Sequence, residues 1–115
     1  MKDFIIEFDL SDSEYMTALR LAVGAVCAAA DTDIDGAEDM KVCITESCLI
    51  LKACGFERVR VSLGYLGGVC AEVQGVGGQL HAGDSELSLA LISALVSSCG
   101  LEKQGEAITK LILKL

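Results

Sequence analysis

Proline and tryptophan are absent from this 115-residue chain, histidine occurs once, and the other aromatics amount to two tyrosines and three phenylalanines. Without proline or a low-complexity tract, nothing marks a linker or an internal repeat, so a single domain spanning 1–115 is expected. The lone histidine is His81, and the six cysteines at 27, 43, 48, 54, 70 and 99 form no pair at two-residue spacing. That excludes the usual zinc patterns, so no metal site is expected. Basic residues are scarce: 9 Lys and Arg stand against 17 Asp and Glu, for a net charge of −8. Phosphate-backbone binding needs clustered Lys and Arg, so no nucleic-acid partner is expected. Acidity suits a basic protein partner, and it serves solubility equally well. Long apolar runs are missing too; Leu21–Ala30 and Leu87–Val96 are the longest, well short of the ~20 residues that cross a bilayer. The opening MKDFIIEFD puts acids inside its apolar segment, unlike a secretory signal, so a cytoplasmic protein with no membrane partner is expected.

What is present is apolar. Hydrophobic residues make up 52% and the mean hydropathy is +0.52, enough for one modest core. All six cysteines fall in apolar segments and read as small core hydrophobes. Asp3–Leu10 alternates, with Phe4, Ile6, Phe8 and Leu10 on one side and three acids on the other, as an edge strand does. Ser11 and Glu14 have capping-box spacing and open a helix that ends near Asp31. A second helix runs from Asp35, paired with Glu38 as a capping box, to Gly55. Glu57–Tyr65 and Val69–Val73 alternate around a glycine turn. A loop Gly75–Gly83 leads to a third helix, Glu86–Cys99, stopped by Gly100, and a closing hairpin turns at Gln104–Gly105. Strand, helix, helix, hairpin, helix, hairpin predicts an α+β, two-layer sandwich: a mostly antiparallel sheet with three helices on one face.

The second helix is the most informative stretch. Lys41, Thr45 and Lys52 share a narrow stripe, and most of the rest is apolar. Glu46 lies within the apolar arc, on the flank of Cys43, Ile50 and Cys54. A carboxylate there must be paired, protonated or wet.

The run EYMTALRLAVGAVCAAADTDIDGAEDMKVCITESC, with LSLALISAL near the C-terminus, resembles the anti-sigma-factor serine kinases of the histidine-kinase-like ATPase superfamily. The likeness covers most of the chain and its element order, and implies that superfamily's fold. Family activity rests on a Glu followed four residues later by Asn, the base and the magnesium ligand; Glu46 matches the first, and Ile50 stands at the second. Isoleucine offers no oxygen to a hard cation. Leu49 and Cys54 stand where a further Asn and a His are frequent. In the family's Asp-x-Gly-x-Gly motif the glycines Gly75, Gly77 and Gly78 remain, but Val73 or Gln74 replaces the adenine-binding Asp. A Gly-x-Gly pair that approaches phosphates aligns with Glu86-Leu-Ser88, and Gln79–Asp84 is too short for the family's ATP lid.

These departures imply a degenerate member, with ATP and magnesium binding and kinase catalysis lost. The expected function is an anti-sigma-like regulator that acts by contact with a sigma factor or an anti-anti-sigma factor, with a homodimer as a further option. The alternative is an active ATP-binding serine-protein kinase, or a binder of another small ligand in the altered pocket. His81 is expected to be exposed and idle.

Overall fold

The computed structural model describes residues 3–115. Its elements, in chain order, are β1 (Phe4–Asp9), α1 (Glu14–Ala29), α2 (Ile34–Ala53), β2 (Arg58–Tyr65), β3 (Val69–Val76), α3 (Glu86–Leu95), β4 (Ser98–Gln104) and β5 (Ala107–Lys114). They form a small α+β domain: three helices and a five-stranded sheet in the order β1-β2-β3-β5-β4. Every neighbouring pair of strands is antiparallel, and the sheet is open, with β1 and β4 at its edges.

Alternation decides which face is buried. Val59, Val61 and Leu63 on β2, Val69, Ala71 and Val73 on β3, and Leu111 and Leu113 on β5 all point into the core. The opposite face carries exposed Arg58, Arg60, Glu72 and Gln74. There Lys110 bridges Glu72 (3.3 Å) and Glu102 (3.8 Å) across three strands. Both carboxylates are more than half exposed, so each pair contributes about 1 kcal/mol or less.

α2 supplies the other half of the core, with Met40, Cys43, Ile44, Cys48, Ile50 and Leu51 all at 1% exposure or less. A fully buried side chain of this size stabilises by about 1.5–3 kcal/mol. The helix is not covered all round: Val42 and Leu49 stand on its outer crest, half exposed. α1 packs beside it through Leu19, Val23 and Cys27. Four cysteines, Cys27, Cys43, Cys48 and Cys54, are buried, and all six are free thiols. Burial raises the Cys48 thiol to about 12. It raises Cys43 to about 11, with the nearby carboxylates of Asp39 and Glu46 adding to the effect.

Several boundaries differ from expectation. α2 is capped by Asp33, not Asp35: the Asp33 carboxylate accepts from the Gly36 N–H at 2.7 Å. Asp35 falls inside the first turn, and Glu38 pairs with Lys41 instead of reaching back to a cap. Ser11 does not cap α1 either. Its N–H and hydroxyl both donate to Asp9 (2.8 and 2.7 Å), which holds the Asp9 carboxyl below its usual range. The first free amide of α1, on Glu14, goes to Asp12 at 3.1 Å. Phe4 and Tyr65, which alternation places on the same side as the inward residues of their strands, are about half exposed (48% and 49%), each at a strand end.

The largest correction concerns α3, which stops at Leu95 rather than Cys99. Cys99 and Gly100 belong to β4, whose register against Leu113 and Ile112 of β5 captures residues that a local pattern assigns to the helix. β3 likewise runs on to Val76, because Gly75 and Val76 pair with Val59 and Arg58.

Candidate functional site

Glu46 sits on the α3 side of α2, one turn before the buried Ile50. It is half-buried, and its carboxylate accepts a hydrogen bond from the Ser88 hydroxyl at 2.7 Å. One turn further along α3, the backbone carbonyl of Ile92 accepts a contact from the Cys43 thiol at 3.9 Å. These two contacts set the register of α3 on α2. Of the three ways to tolerate a carboxylate in an apolar arc, the molecule uses pairing.

The positions singled out in the sequence scatter from there. Ile50 is 1% exposed and part of the core, as is Val73 at 0%. Gln74 faces the other side of the sheet, between Arg60 and Lys110 in register, away from Glu46. Glu86 is exposed at the start of α3, where its N–H donates to Asp84 at 3.4 Å. Only Glu46 and Ser88 are joined, by the hydrogen bond between them.

The glycines have structural work. Gly77 and Gly78 take positive φ (+73° and +80°), which turns the chain out of β3. Gly78 and Gly55 lie against each other's backbone: a side chain on Gly78 would collide with the Gly55 carbonyl, and one on Gly55 with that of Gln79. The loop is therefore fastened to the C-terminal end of α2, and the His81 N–H donates to the Cys54 carbonyl at 3.0 Å. A side chain on Gly83 would meet the Ala53 backbone, less closely, at 2.8 Å. The His81 ring is exposed beside the Ala82 carbonyl, far along α2 from Glu46.

A carboxylate that accepts from a serine hydroxyl is one element of a base-activated nucleophile, but a carboxylate alone is a weak base for an alcohol. No imidazole or ammonium is bonded to either group among the described residues. Nor do any three His, Cys, Asp or Glu side chains converge as metal ligands there. No helix among the described residues is long and apolar enough to cross a membrane.

Surface cavities among the described residues lie away from Glu46 and Ser88, and one of them, beside Arg60 and Glu72, is lined by Gln74. A cavity of ≈ 390 Å³ runs along β1 beneath α1, between Phe8, Tyr15, Ala18 and Leu19. Sequence reading missed it. Its one signal is Tyr15, an aromatic outside the buried stripe of α1, whose ring meets Phe8 edge-on with centroids 6.0 Å apart. No protein-family model matches this sequence, and no curated protein does either.

Proposed function

We propose that this chain is an anti-sigma-like regulatory protein of the cytoplasm that acts by protein–protein contact, on a degenerate histidine-kinase-like ATPase fold that has lost ATP binding and kinase activity. The observation that carries the reading is the state of the Glu46–Ile50 helix face. Where the resembled family holds magnesium, the side chain is a 1% exposed isoleucine, and the base position is bonded to Ser88. Those residues do not fit a magnesium–triphosphate group, which needs oxygen ligands and open space. The tethered Gln79–Asp84 connection agrees with the absence of a mobile lid. Interaction surfaces on such a fold need not fail with the nucleotide site, because binding and catalysis use different residues.

Calorimetric titration with magnesium and ATP tests the first half, with no saturable heat expected; tight binding would overturn it. Co-purification with individually expressed sigma factors and antagonist proteins tests the second. Failure of every such candidate to form a stoichiometric complex would refute the regulatory reading.

A further inference from the structure

We propose that the free edge of β1 is a docking site for an extended segment of another protein, in which basic residues alternate with aliphatic ones. β1 pairs only with β2, so among the described residues its outer backbone edge has no strand beside it. An uncovered edge is a template for a further strand, with backbone bonds supplying affinity and alternate side chains supplying specificity. Natural sheets usually blunt such an edge with lysine, proline or a bulge. β1 contains none of these; its charges are Glu7 and Asp9, which repel an acidic strand but not a basic one, and Phe4 and Ile5 leave its first half apolar and half exposed.

The groove lies where an added strand would lodge its inward side chains. It follows Ile6–Asp9 along the edge and is closed on the helix side by Tyr15, Ala18 and Leu19. Its ≈ 390 Å³ has room for aliphatic side chains. On the outer face the added strand would meet Asp3, Ile5, Glu7 and Asp9. From the β2 side, Arg58 reaches Glu7 at 3.7 Å and is opposite Asp9, while Arg60 is opposite Glu7. Arg58, on the β2 side, is the one cation among the residues that line the groove, and none of those on the α1 side is charged. Lysines or arginines on the incoming strand would complete that row, in a chain whose net charge is −8.

The same acids argue against a second copy as the occupant. In an antiparallel pair, residues directly opposite each other share a face. A symmetric β1–β1 pairing centred on Glu7 sets Glu7 against Glu7, and one centred on Ile6 sets Asp3 against Asp9 twice. Centring on Ile5 sets Asp3 against Glu7 twice. Like charges directly opposite destabilise a strand pair. Each of these three registers is therefore opposed, whereas a basic–aliphatic strand is favoured in all of them.

The test uses a short, capped, fluorescently labelled peptide that alternates lysine with valine, titrated by anisotropy against the full-length protein. Saturable binding is expected. It should weaken about tenfold or more when glutamate replaces the lysines, and by a similar factor when the peptide is N-methylated on the amides that face the edge. Ala18→Trp, at an exposed position of α1, should also reduce binding by filling the groove. Glu7→Lys should do so by charge. No saturable binding overturns the proposal. So does equal affinity of the N-methylated peptide, which would make the contact electrostatic only. A dimer in sedimentation that Ala18→Trp dissociates would assign the edge to a second copy and overturn it as well.

Discussion

Replacing Ile50 with asparagine would restore, on paper, the metal ligand of the resembled family, and the structure forecasts what the protein would do instead. Ile50 is 1% exposed, so the substitution removes a fully buried aliphatic side chain and puts an amide in its place. Loss of the apolar burial costs about 1.5–3 kcal/mol. An amide left without partners in that interior costs about 1–3 kcal/mol more. Ile50→Asn should therefore lower stability by roughly 2.5–6 kcal/mol, a large share of the 5–15 kcal/mol typical of a domain. Thermal midpoints should fall by on the order of 10–25 °C. Ile50→Val serves as the control, because it shrinks the same side chain without a polar group and should cost about 0.5–1.5 kcal/mol. Guanidinium unfolding followed by far-ultraviolet circular dichroism would measure both, and magnesium–ATP titration of the asparagine variant should remain silent. If Ile50→Asn unfolds within about 1 kcal/mol of the parent, the amide has found water or a partner. Position 50 would then face a wet cavity, and the packed-site reasoning would be wrong.

Three further outcomes follow from named contacts. In a double-mutant cycle on Glu46→Ala and Ser88→Ala, the coupling should be about 0.5–1.5 kcal/mol, since the bond is charge-assisted but half-solvated; additive effects would show that the pair does not hold α3 on α2. Asp33→Ala should destabilise by about 1 kcal/mol through loss of the α2 cap, and Asp35→Ala by clearly less, both read from denaturant midpoints; the reverse order would restore Asp35 as the cap. The thiols predict a pH dependence. Cys43 and Cys48 are raised from 9.0 to about 11 and about 12, so the folded state keeps protons that the unfolded state releases. Their contribution is complete below pH 9 and is lost as pH climbs through these higher values. Unfolding titrations from pH 8 to 11 should show a decline that Cys48→Ala makes shallower, and a slope unchanged by that substitution would refute the assignment.

Strand pairing was legible where burial and turn chemistry agreed. Val59, Val61 and Leu63 alternate cleanly and fold back at Gly67 and Gly68, so β2 and β3 could be placed from sequence. The end of α3 could not. Val96–Cys99 holds no glycine or proline to stop a helix, and its poor helix formers Val96, Ser97 and Ser98 set no exact end; the decision rests on β5, which pairs with Ser98 and Cys99. The cap of α2 was misplaced for a local reason: Asp33 and Asp35 both offer a carboxylate, and only the backbone of Gly36 chooses between them. Glu46 stood out correctly as an anomaly, but its partner is 42 residues away, and no local pattern points to Ser88. The groove under α1 was invisible because it belongs to neither element alone.

The strand order also has a kinetic meaning. β2 and β3, and β4 and β5, are hairpins whose pairing closes short loops. β1 has no such advantage: Asp9 meets Arg58 only after the whole of α1 and α2 has been laid down between them. Loop-closure entropy makes that pairing late in folding and early in local opening. Native-state hydrogen exchange should find the amides of Phe4–Asp9 opening at lower free energy than those of β2, β3 and β5. Equal protection across the sheet would contradict this. The molecule thus grows outward from its two hairpins, and β1 is the element a partner strand could stabilise most by holding it in place.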